Sequence, residues 1–140
     1  MSRAIATNTS QAGSTGGTWI AIKSHMSWKR SVVAQRLHEK AFPTTGRQWT
    51  AVLLRCVPFD VLLVVVYMET SAHHTLTPGN KSNLEFLTEL VRAHRTPFLI
   101  AGDWNMEPAT LINTGFVHNV GGQARSDWAA DLQHRKRGTS

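Results

Sequence analysis

One cysteine, Cys56, stands among the 140 residues. A single thiol excludes an internal disulfide framework and any zinc site built on several cysteines. Set in an apolar run, it reads as a small buried hydrophobe rather than a nucleophile, and it fits a reducing, intracellular compartment. Long hydrophobic runs are also missing. The longest, residues 61–67 (VLLVVVY), is strand-sized and well short of the roughly 18–20 residues of a membrane span. The first residues, MSRAIATNTSQAGSTGG, lack the apolar core of a signal peptide. No internal repeat is visible. The apolar fraction of 41% lies slightly under the globular average of roughly 45–50%, which counts glycine. These totals leave room for one domain with a modest core.

Acids are scarce in one half. Residues 1–60 hold Arg3, Lys23, Lys29, Arg30, Arg36, Lys40, Arg47 and Arg55 against Glu39 and Asp60. Residues 61–140 are balanced, and the whole chain has a formal charge of +6. A basic half favours a polyanionic partner, such as nucleic acid or a phosphorylated substrate. A solvated basic surface has the same composition.

Residues 1–15 are small and polar without periodicity, which predicts a disordered segment. From Gly16 the pattern changes. GGTWIAIKSHMS reads as a strand entered from a glycine turn. WKRSVVAQRLHEKAFPTTG has loose helical spacing through Val32, Val33, Leu37 and Phe42, ended by Pro43 and Gly46. RQWTAVLLRCV and DVLLVVVYM are β-branched runs separated by Pro58 and Phe59, which predicts a hairpin. The second is apolar on consecutive residues, as in a strand covered on both faces. ETSAHHTLTPGN is a loop. KSNLEFLTELVRAH follows as a helix with Leu84, Leu87, Leu90 and Val91 along one face, Ser82 and Glu85 as a capping box, and His94 near the C-terminal dipole. PFLIA is a short strand, and ATLINTGFVHNVGG a short helix, a glycine turn and an extended piece. The order predicts an α/β (α+β) sandwich with helices over a mixed sheet.

At the end of that last strand stands GDWNMEP. Ligands collect where the strands of helix-covered sheets end. Asp103, just past the strand, can orient or deprotonate a water or hold a divalent cation. Asn105, two residues on, can point to the same side. Its amide can donate to a phosphoryl oxygen. Trp104 faces the other way and packs, Gly102 admits a close backbone neighbour, and Pro108 fixes the exit. This suits attack of water on a phosphate diester or monoester. Asp and Asn also cap plain turns, so a turn without chemistry remains open.

The motif order resembles the endonuclease/exonuclease/phosphatase (DNase I-like) superfamily of metal-dependent phosphohydrolases. TGGTWIAIK resembles the family's glycine-led strand. LLVVVYMETS resembles the strand ending in a substrate-contacting Tyr. NLEFLTELVRAHRTPFLIAGDWNMEP resembles the helix, strand and GD(F/W)N…P signature, and TGFVHNVGG the segment after it. The resemblance covers residues 16–122 as a partial domain, a fragment of a four-layer αββα sandwich, with 123–140 as an unmatched basic tail. It implies a catalytic set of Asp103 activating water, Asn105 stabilising the transition state and Tyr67 contacting the phosphate. It also implies Mg²⁺ or Mn²⁺, and a phosphate-ester substrate such as nucleic acid. Asp103, or Glu69 as a replacement carboxylate, would then serve the metal, with His73 and His74 beside the substrate.

The chain departs from the family in two places. The family's metal-binding Glu precedes the glycine-led strand, but residues 1–16 hold no acid. The family's closing Ser-Asp-His is met only by Ser126-Asp127-Trp128. Two functions stay open: a nuclease-like phosphoester hydrolase, or a catalytically inactive fragment or basic nucleic-acid-binding remnant.

Overall fold

The structure is a computed structural model that describes residues 3–7, 17–41 and 48–125. Its frame is a four-stranded mixed sheet in the order β3 (Trp28–Arg30), β4 (Trp49–Cys56), β5 (Phe59–Tyr67) and β6 (Phe98–Asp103). The first two pairings are antiparallel, and β5–β6 is parallel. The turn at Val57 and Pro58 joins β4 to β5, as the two β-branched runs imply. The parallel pair requires a crossover, supplied by α2 (Pro78–His94).

Period-two alternation sorts β5 between two faces. Leu62, Val64 and Val66 are buried on one face with Trp49, Ala51 and Leu53 of β4, under Leu84, Leu87 and Leu90 of α2 and Leu37 of α1 (Val32–Ala41). Leu63 and Val65 point the other way and meet Val52 and Leu54. That second face is covered by a two-stranded antiparallel sheet of β1 (Arg3–Thr7) and β2 (Thr18–Ile22), through Ile20 and Ile22. Buried Thr18 and Thr50 bond hydroxyl to hydroxyl between the two sheets. The layers are therefore helix, sheet, sheet. The α+β sandwich architecture expected from the sequence is present as this three-layered part.

Among the described residues β6 has one ladder neighbour, β5, and Leu99 on β6 is 57% exposed.

Several local expectations need correction. Residues 3–7, inside the segment read as disordered, form β1; its pairing with β2 is non-local and leaves no periodic signal. Residues 8–16 lie outside the described residues, as do Pro43, Gly46, the Ser126-Asp127-Trp128 triplet and the rest of the tail. Three-residue β3 was concealed in the segment read as helical. Helix α2 begins at Pro78, ahead of the Ser82–Glu85 capping box. Its N-cap is Thr77, whose hydroxyl accepts from the Asn80 N–H at 3.1 Å, with proline in the first turn. The extended piece expected after the glycine turn is α4 (Phe116–Asn119), which follows α3 (Pro108–Asn113). Cys56 is half-buried at the end of β4 rather than in the core.

His94 also differs from its expected dipole role. Arg95, in the left-handed region at φ 50, is the C-cap. The His94 ring turns to Ser31, Nε2 to Oγ 2.6 Å. The Ser31 oxygen already accepts from the Ala34 N–H at 2.9 Å, leaving its hydroxyl hydrogen to donate to a neutral imidazole. Burial, and then the Lys29 charge, hold His94 below its usual pKa.

Candidate active site

The site is built where β5 and β6 end together. Tyr67 pairs with Asp103 in the parallel register, so Asp103 closes the strand rather than following it. The Met68 N–H donates to the Asp103 carbonyl at 2.9 Å and the Tyr67 N–H to the Gln48 carbonyl at 2.7 Å. These bonds latch the end of β5 to β6 on one side and to the chain entering β4 on the other. The Tyr67 side chain is 42% exposed, and Asp103 is exposed beside it.

Gly102 makes the approach possible. Its φ is +138, and a Cβ there would lie 2.0 Å from the Val66 carbonyl oxygen. Past Asp103 the chain reverses through Asn105, at φ 48, a conformation that Asn tolerates better than most residues. The Asn105 N–H donates to Asp103 Oδ1 at 3.1 Å, an Asx turn. Asn105 Nδ2 donates to the Met68 carbonyl at 2.8 Å. A carboxamide has two N–H donors; one is committed to the fold, and the other makes no hydrogen bond among the described residues. Trp104 packs inward against Phe116, centroids 6.0 Å apart, and Met106 is buried. The apolar members of the signature thus anchor the turn while its acid stays in solvent. The candidate site therefore coincides with a turn in which Asp103 Oδ1 accepts the Asn105 N–H.

The other expected residues are not brought to this point in the same way. Glu69 follows Met68, but its Oε2 accepts from the Thr77 hydroxyl at 2.7 Å. The carboxylate lies over the first turn of α2, where a Cβ on Gly79 would meet Oε1 at 2.5 Å. His73 and His74 are exposed in a turn fastened by the Ser71 hydroxyl, which accepts from the Thr75 N–H at 2.7 Å. No hydrogen bond links either to Tyr67, Asp103 or Asn105 among the described residues. Glu107, at the N-cap position of α3, makes no capping bond.

These placements test the expected Mg²⁺ or Mn²⁺. Among the described residues no group of three His, Cys, Asp or Glu side chains could hold a metal ion. Asp103 is exposed at the strand ends, and the Glu69 carboxylate is held by Thr77. Mg²⁺ can be held by one or two carboxylates, completed by waters and substrate phosphates, a smaller set than the three-ligand group that is missing among the described residues.

The basic residues fall elsewhere. Lys29 pairs with Asp60 at 3.1 Å, and Asp60 lies opposite Arg55. Asp60 is seven residues before Tyr67 on β5, roughly 23 Å at a strand rise of about 3.3 Å per residue. Lys29 and Arg55 therefore lie at the end of the sheet opposite Tyr67 and Asp103. Of the tryptophans, Trp49 is buried, Trp28 half-buried and Trp19 exposed. Sequence reasoning missed Thr77 and Asn80, although Thr-Pro-Gly-Asn is a readable N-cap followed by a first-turn proline.

A helical layer on a mixed sheet with a second sheet behind it is consistent with part of a DNase I-like sandwich fold. The endonuclease domain of TRAS1, a telomere-specific non-LTR retrotransposon, superposes with a TM-score of 0.59 at 15% identity. The match covers 88% of this chain and 56% of that one, so the chain spans little more than half the length of that domain. No protein-family model matches the chain, and no curated protein matches it.

Proposed function

We propose that this chain carries part of a nuclease-like site for hydrolysing phosphoesters, with nucleic acid as the substrate class. The observation that supports it most is the junction of Tyr67, Asp103 and Asn105 at the paired ends of β5 and β6. The fold shared with a retrotransposon endonuclease domain supports the same reading. In the proposed step, a water oxygen attacks phosphorus and loses its proton to the Asp103 carboxylate. The second Asn105 N–H and the Tyr67 hydroxyl donate to phosphoryl oxygens as negative charge grows on them. The bond from phosphorus to the leaving oxygen breaks, and that oxygen is protonated from solvent. Asp103 then returns its proton to solvent.

The test is hydrolysis of plasmid DNA and of a generic phosphodiester by the purified chain, with and without Mg²⁺ or Mn²⁺. Wild type and Asp103→Ala are compared. Turnover lost in the variant by about 10²-fold or more, the scale of one missing catalytic group, is the expected result. No turnover from folded protein overturns it.

A second reading rests on a specific observation: among the described residues no three metal-ligating side chains come together. The chain then binds nucleic acid through exposed Lys23, Arg30 and Arg55 without cleaving it. That reading requires salt-sensitive DNA binding unchanged by Asp103→Ala.

A further inference from the structure

The β5–β6 ladder ends at Tyr67 and Asp103. Beyond it, Met68 is still tied to β6 by its N–H on the Asp103 carbonyl at 2.9 Å, and Asn105 is tied to the Met68 carbonyl. The next residue, Glu69, is held by a side chain from another element. The Asn80 carboxamide bonds both backbone groups of Glu69: Oδ1 accepts the Glu69 N–H at 2.8 Å, and Nδ2 donates to the Glu69 carbonyl at 2.9 Å. One side chain supplies the two bonds that a neighbouring strand would otherwise make. Asn80 is fully buried, in the first turn of α2, with its own N–H donating to Thr77 Oγ1. Thr77 in turn holds the Glu69 carboxylate. Glu69 is thereby gripped at backbone and side chain alike.

We propose that Asn80 is a positioning residue for the active site, acting through Glu69 and Met68 on the Asn105 carboxamide; this rests on the function proposed above. The route is continuous and short. Asn80 Oδ1 holds the N–H of the Met68–Glu69 peptide unit, and the carbonyl of that same unit, Met68 O, accepts from Asn105 Nδ2 at 2.8 Å. Asn105 in turn donates its backbone N–H to Asp103. Asn80 touches none of the reacting groups. Its residue type is specific. Aspartate has no donor for the Glu69 carbonyl and adds a negative charge beside the Glu69 carboxylate. Serine cannot bridge both backbone groups. Leucine, of similar size, leaves a buried N–H and C=O unpaired, which is costly.

The experiment compares wild type with Asn80→Asp and Asn80→Ser. Leu37→Ala, at a buried α1 position that shares no hydrogen bond with Asn80, Glu69 or Asn105, is the control for general loss of stability. The first readout is the NMR signal of the Asn105 side-chain NH2, assigned by its loss in Asn105→Ser. It should shift and exchange faster with solvent in both Asn80 variants and stay in place in folded Leu37→Ala. The second readout is kcat and KM per folded molecule. An offset of about 1 Å at a reacting group costs on the order of 10²-fold. The Asn80 variants should therefore lose up to that in kcat with KM nearly unchanged, while Leu37→Ala keeps wild-type kcat. If Asn80→Asp does not fold, Asn80→Ser decides alone. An unmoved Asn105 amide in a folded Asn80 variant overturns the proposal. An inactive wild type overturns the hydrolytic reading instead, and the NMR readout still decides whether Asn80 positions Asn105.

Discussion

Gly79→Ala should have opposite signs in two backgrounds. Gly79 occupies the first turn of α2, and a Cβ there would lie 2.5 and 2.7 Å from the two Glu69 carboxylate oxygens. In wild type the carboxylate must swing away, giving up its 2.7 Å bond from Thr77 and its place at the positive end of the helix. A hydrogen bond to a charged group is worth about 1.5–3 kcal/mol when buried. At this half-buried position the sum of bond and dipole is about 1.5–2 kcal/mol. Replacing glycine by alanine in a helix returns about 0.5–1 kcal/mol. The net expectation is a loss of about 1 kcal/mol in wild type and a gain of about 0.5–1 kcal/mol in Glu69→Ala. Their difference, about 2 kcal/mol, is the coupling energy of a double-mutant cycle. Urea denaturation followed by circular dichroism reads it directly. With an m-value of about 2 kcal/mol/M, the two effects are midpoint shifts of about half a molar or less in opposite directions. If Gly79→Ala stabilises both backgrounds equally, Glu69 is not held over α2, and a carboxylate directed at the strand ends would have to be considered again.

Gly102→Ala meets backbone rather than a movable side chain, at 2.0 Å from the Val66 oxygen and with φ +138. It should cost about 3 kcal/mol or more and lower the melting temperature by about 10 °C; a change under about 2 °C would contradict the close approach. His94 has its pKa lowered by burial and then by Lys29, so the unfolded chain binds a proton there more readily than the folded one. Its contribution is complete above the unfolded value near 6.5 and is lost as pH falls through the lower folded value. Urea midpoints measured from pH 7.5 to 5 should fall more steeply for wild type than for His94→Gln, and parallel curves would refute the assignment.

The long elements were legible in two ways: α2 by its helical periodicity, and β4, β5 and β6 by their apolar, β-branched runs. Trp104 packs inward against Phe116, as its apolar character between Asp103 and Asn105 suggested. What was concealed depends on partners far away in the chain. β1 exists through its pairing with β2, and β3 is too short to show alternation. His94 was assigned to its own helix end because nothing nearby in sequence points to Ser31. The acid–amide turn was visible, whereas the engagement of Glu69 by Thr77 and of Asn105 by Met68 needed coordinates. A carboxylate's position in the chain does not tell which neighbour already holds it.

The crossover through α2 sets an order of events. Tyr67 and Asp103 are paired in space, yet the whole of α2 lies between them in the chain. The β4–β5 hairpin closes over a tight turn and carries a small loop-closure entropy cost, whereas the β5–β6 pairing must close the full crossover before any contact rewards it. Tyr67 can therefore be in place while Asp103 is still adrift. The candidate site comes into being with the last strand of this sheet and is the first thing lost when that strand departs.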